Sequence, residues 1–185
     1  MESAEGSPPP KTRTDGTWAI ALRQTRWPTA FVARGEVPHA VMTAFSTNEA
    51  FIFFLEALTA MIGGLVAAQL DTSDWISFID NEPAKYALIK GYTGNAQVNT
   101  LLATFWEFQV QEGLSPWFER VTSKANVADA VSRDDLSFAQ SQNWPEVLLP
   151  LDNFFASLTA QSFCAQDWRA FSLEIKTAID KVRTK

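Results

Sequence analysis

Cysteine and histidine are almost missing from this chain. Cys164 is the one cysteine and His39 the one histidine. A disulfide framework, a multi-cysteine zinc site and a site built on two imidazoles are therefore excluded. The two residues also stand in unrelated contexts, Phe163-Cys164-Ala165 and Pro38-His39-Ala40. A thiolate–imidazole nucleophile is not expected from them, and the plainer reading is a small buried thiol and a surface imidazole.

Basic charge is scarce as well. Lys and Arg number 15 against 21 Asp and Glu, for a net charge of −6. No dense basic stripe occurs, so strong autonomous nucleic-acid binding is not expected from charge. Residues 46–112 carry only Lys85 and Lys90 against Glu49, Glu56, Asp71, Asp74, Asp80, Glu82, Glu107 and Glu112. Carboxylates gathered in that way suit hard cations. An unbroken apolar run of membrane-spanning length is lacking too. Ala50 to Leu70 comes closest, but Glu56 and the Gly63-Gly64 pair interrupt it, and it reads as a buried helix. The N-terminus lacks the charged-then-apolar order of a secretion signal, so an intracellular protein is expected.

What is present is material for a core. At 185 residues and 46% hydrophobic, the chain reads as one packed domain with an appendage. Met1 to Thr14, with Ser7 and three consecutive prolines from Pro8 to Pro10, reads as a flexible leader. Trp18, Ile20 and Leu22 alternate with Ala19, Ala21 and Arg23, the period of a strand. Thr29 to Val32 is a second strand, placed to pair with the first, and Glu36-Val37-Pro38 breaks the chain. Ser46 or Thr47 caps a helix that continues through Phe51, Phe54, Leu55, Leu58, Met61, Ile62 and Leu65. Glu56 lies inside that apolar run, where a carboxylate is costly unless it faces solvent, is paired or binds a metal.

The organising stretch is Trp75 to Lys90. Trp75 to Ile79 reads as a buried strand that stops at Asp80. Pro83 opens a helix and Gly91 closes it. Asp80 is thus a carboxylate at the end of a core strand, either a site residue or the cap of the next helix. A further helix spans Gln97 to Glu112, and Trp117 to Val121 forms a short strand. The polar loop Thr122 to Asn126 leads into Val127 to Arg133. Beyond Asp134, helices are expected at Val147 to Thr159 and Ala165 to Val182. The elements alternate as an α/β mixed sheet flanked by helices. Glu56, Asp80 and Asp129 then stand where three acids can converge. Three acidic side chains holding two divalent cations about 4 Å apart is an arrangement for phosphodiester hydrolysis.

The residues carry a resemblance. Phe78-Ile79-Asp80-Asn81, followed by Ala84, Ala87-Leu88 and Lys90-Gly91, and then the run Val121-Thr122-Ser123-Lys124-Ala125-Asn126-Val127-Ala128-Asp129-Ala130-Val131-Ser132-Arg133 resemble the ribonuclease H-like domain of retroelement reverse transcriptases. Phe54-Leu55-Glu56-Ala57-Leu58 is similar to the helix that bears that family's glutamate. The resemblance covers residues 15–135 and leaves 1–14 as leader and 136–185 as a helical tail. It implies a five-stranded mixed sheet and Mg²⁺-dependent, two-ion cleavage of RNA in RNA–DNA hybrids. Glu56, Asp80 and Asp129 would be the catalytic and metal-binding carboxylates, Asn81, Ser123, Lys124 and Asn126 would be structural or on the substrate side, and Arg133 would lie on the substrate side. The family's opening strand, which ends in an aspartate, has no counterpart in Met1 to Arg13. Asp15, in Thr14-Asp15-Gly16-Thr17, is the one candidate for that metal ligand.

Two readings follow from the resemblance. One is a ribonuclease H-type nuclease. The other is a domesticated, inactive domain that serves as an interaction or structural subunit, through the open sheet edge beside Trp18 to Leu22 or through the tail aromatics Phe154, Phe155, Phe163, Trp168 and Phe171. The plainer reading of those aromatics is that they cover a sheet face. A phosphate-binding loop is not available, because Gly63-Gly64 falls inside a helix pattern.

Overall fold

The computed structural model describes residues 16–24, 30–45, 51–70, 72–160 and 163–183. The expected leader, Asp15 and the cap candidates Ser46 and Thr47 lie outside these residues.

Strand β1 (Thr17–Arg23) and strand β2 (Ala30–Glu36) pair antiparallel, with Thr17 opposite Glu36 and Arg23 opposite Ala30. The alternation read from the sequence sorts the two faces. Trp18 and Ile20 enter the main core, and Ala19 enters a smaller cluster with Val32 and Val131. Pro38 ends the strand and starts helix α1 (His39–Phe45), its carbonyl accepting from the N–H of Val41 and of Met42. Helix α2 (Phe51–Ala67) follows and buries Leu58, Met61, Ile62 and Leu65 completely.

Strand β3 (Asp74–Ile79) and strand β4 (Ser115–Arg120) run parallel, joined by helices α3 (Glu82–Lys90) and α4 (Ala96–Gln111). A parallel pair requires a long crossover, and helices supply it. Asn81, rather than Asp80, caps α3, its Oδ1 accepting from the N–H of Ala84 at 2.9 Å. Gly91 ends that helix at φ 72°, with its N–H on the Ala87 carbonyl. The Trp106 indole donates to the Leu88 carbonyl at 2.8 Å and ties α4 to α3.

A 3₁₀ turn (Ser123–Ala125) leads to helix α5 (Val127–Ser132), and helix α6 (Ser137–Ser141) comes next. The helix expected over Val147 to Thr159 is only half there. Helix α7 (Asp152–Thr159) forms, but the residues before it are not helical, and Val32 exchanges hydrogen bonds with Pro145 and Val147 at the outer edge of β2. Pro150 accounts for the difference, because the residue before a proline is driven out of the helical region. Helix α8 (Ala165–Arg183) completes the chain.

The chain is mixed α/β, as expected. Its described strands form two two-stranded sheets, β1·β2 and β3·β4, rather than one sheet of five. Helix α2 packs against both sheets, and α8 packs against α2 and α4. The tail aromatics cover helices rather than a sheet. Trp168 is fully buried between Phe105 and Phe108 of α4 and Phe154 of α7, at ring separations of 5.4, 6.1 and 5.4 Å. Phe154, Phe155 and Phe171 are buried with it, so this part of the chain presents core rather than a docking face. No helix among the described residues is long and apolar enough to cross a membrane.

Candidate functional site

Helix α2 lies on the Trp18 side of β1, and α5 lies on the opposite side, against Ala19. Between the two helices, at the start of β1, is a cleft of about 60 Å³. Its walls include Thr17 and Ala19 of β1, Glu56 and Thr59 of α2, and Asn126 and Asp129 at the start of α5. Space of that size holds a few waters or a small hydrated ion between polar walls.

Local structure explains each position. Glu56 falls on the one polar stripe of an otherwise apolar α2 and is half-buried, with Leu55 and Ala57 buried on either side. Asn126 caps α5, its Oδ1 accepting from the Ala128 N–H at 3.2 Å, which fixes the direction in which the helix leaves the 3₁₀ turn. Asp129 sits in that first turn, and its side chain is 15% exposed. One guanidinium nitrogen of Arg133, a turn later, donates to both Asp129 oxygens at 3.1 and 2.9 Å. That contact sets a cation against one wall of the cleft.

The other expected site residues lie elsewhere. Asp80 is half-buried at the end of β3 and is not among the residues lining the cleft. Asn81 is committed to capping α3. Ser123 and Lys124 are exposed on the 3₁₀ turn after β4. Arg133 is the exception, half-exposed and paired with Asp129 at the cleft wall, and Asp15 lies outside the described residues. Among the described residues, no three of His, Cys, Asp and Glu come together as a metal-binding group. Glu56 and Asp129 bring two carboxylates to one cleft, a donor set that suits a single Mg²⁺, which is content with one or two carboxylates plus waters or phosphate oxygens.

Cys164 departs from expectation, being exposed just before α8, where its N–H donates to Asp167 at 2.7 Å. His39 is exposed, as expected, with Nδ1 3.3 Å from the Thr43 hydroxyl.

Thr59 in the cleft wall has a sequence signal after the fact, one turn beyond Glu56 on the same helix face. A second ionic cluster had none. Arg34 of β2 pairs with Asp134 and, at 2.8 Å, with Glu146. Its guanidinium is held above its usual pKa by the Glu146 hydrogen bond first, and by the charges of Glu146 and Asp134. No protein-family model matches the chain, and no match is found among curated proteins or solved structures.

Proposed function

We propose that this chain is a ribonuclease H-like domain of the retroelement reverse-transcriptase kind, and that the cleft between α2 and α5 serves Mg²⁺-dependent cleavage of RNA in an RNA–DNA hybrid. The observation that carries this reading is convergence. Glu56 and Asp129, singled out by two separate sequence runs, line one cleft from opposite sides of the β1·β2 pair. A bound Mg²⁺ would polarise a phosphodiester and acidify a water. The chain's own residues supply the rest. Asn126 orients α5 so that Asp129 faces the cleft, Thr17 and Thr59 offer hydroxyls along its wall, and Arg133 neutralises Asp129 until a stronger cation replaces it.

That last contact favours a second reading, an inactive domain acting as an interaction subunit. The Arg133–Asp129 pair satisfies the carboxylate with no metal at all. In this reading the far edge of β1, unpaired by any strand among the described residues, takes a strand from another chain.

Calorimetric titration with Mg²⁺ separates the two, together with a labelled RNA–DNA hybrid. The nuclease reading expects binding and cleavage in the wild type, both lost in Glu56→Gln and Asp129→Asn. It also expects binding several-fold tighter in Arg133→Ala, where the competing cation is gone. Asp80→Asn reports whether that carboxylate takes part. No heat in any variant and an uncut hybrid at high enzyme concentration would overturn the nuclease reading and leave the second.

A further inference from the structure

The face of β3·β4 turned away from α2 has an exposed apolar centre. Ile76, Phe78 and Trp117 are 59, 60 and 64% exposed. They are neighbours across the parallel ladder, where Ile76 stands opposite Trp117 and Phe78 opposite Glu119. Alternate residues of a strand share a face, so β3 presents Asp74, Ile76 and Phe78 and leads on to Asp80, while β4 presents Ser115, Trp117 and Glu119. The three apolar side chains therefore form a centre with carboxylates at both ends. Lys85 Nζ lies 4.0 Å from Glu119, at the limit of an ion pair, and Arg120 beyond it pairs with Glu82 at 3.6 Å, so the charged side chains that the two strands present on this face itself are the carboxylates of Asp74 and Glu119. The other face of the same sheet is used internally, with Trp75 packed edge-on to Phe118 at 5.9 Å and its indole held by Gln109.

We infer that this face docks a helix of another protein, with an apolar stripe bordered by Lys and Arg. Charge selects the occupant. A second copy would set the same acidic rim against itself, and nucleic acid or an anionic lipid surface would be repelled as well. The fold selects the helix. On the face of β1·β2 away from α2, α5 rests Val131 and Ala128 against Ala19 and Val32, and a helix on the face of β3·β4 away from α2 would repeat that arrangement. The inference is independent of whether the carboxylate cleft cleaves a hybrid.

The test uses the full chain and a fluorescein-labelled synthetic helix of about 18 residues, with leucine at helical spacing and lysine along both borders. Its twin carries glutamate in place of lysine. Fluorescence anisotropy should show the lysine helix binding at least about tenfold tighter than the twin, with affinity falling as salt rises. Phe78→Ser/Trp117→Ser should abolish binding. Asp74→Lys/Glu119→Lys, which keeps Ile76, Phe78 and Trp117 and changes no core residue, should reverse the preference between the two helices even if the first variant misfolds. Equal affinity for both helices, or affinity indifferent to the charge reversal, would overturn the inference. So would a wild-type dimer in sedimentation that the serine variant returns to monomer, since the face would then belong to a second copy. Unchanged Mg²⁺ titration in the charge-reversed variant keeps this result separate from the cleft's.

Discussion

Asp80 and Asn81 are neighbours with different positions to fill, and the sequence left both roles open to Asp80. The geometry at the helix start settles the cap. An acceptor in extended conformation just ahead of the helix reaches the third helical N–H, and Asn81 is that residue, at φ −92°. Glu56 and Asp129 were legible as site candidates from their motifs, but their shared cleft was not, because it depends on how two helices straddle a sheet. A third carboxylate, Glu119, yields a prediction at this scale. It is held below the usual carboxylate range, first by the Arg120 backbone N–H, then by the Trp117 indole, with Lys85 adding a smaller pull. A carboxyl with a lowered folded pKa contributes stability above its unfolded value and loses it as pH falls through the folded one. Carbon-13 NMR should find Glu119 titrating on the acid side of an ordinary glutamate. Trp117→Phe should raise its midpoint part of the way back and leave the Arg120 contribution in place.

Elements bounded by strong chemical signals were readable. Helix α3 has Pro83 inside its start and Gly91 past its end, α8 carries a long amphipathic period, and β1 alternates cleanly. Helices α1 and α6, at seven and five residues, are too short to show a period. The non-helical stretch before α7 reflects Pro150 and pairing with β2, a partner far away in sequence. The adjacent glycines of α2 show how packing overrides propensity. A Cβ on Gly64 would lie 2.6 Å from the Phe105 ring and 3.0 Å from the Gln109 amide, whereas one on Gly63 would meet only Trp75 at 3.6 Å. Gly64→Ala should therefore destabilise the protein by about 1–3 kcal/mol through overpacking. Gly63→Ala should be neutral or stabilising by up to about 1 kcal/mol through helix propensity. Urea unfolding of the two variants would check that opposite signs come from consecutive residues.

For the molecule as a whole, composition and element order gave the mixed α/β class. They did not give the count of sheets or the place of residues 136–185, which depend on long-range packing. The tail reads as an appendage in sequence, but α8 lies in the core, tied to α2 where the Ser172 hydroxyl donates to the Leu65 carbonyl at 3.0 Å and to α4 where the Trp168 indole donates to Thr104 at 3.0 Å. Trp168→Ala should thus cost about 3–5 kcal/mol and lower a single melting transition measured by calorimetry. An early separate transition with the main one unmoved would instead mark the tail as independent. The two sheets share no strand among the described residues, and α2 packs against both. In mechanical terms they are two plates fastened to one rod. A pull that draws the plates apart is borne by interlocked side chains along α2, which slip by small steps, and not by a ladder of backbone bonds that must break together.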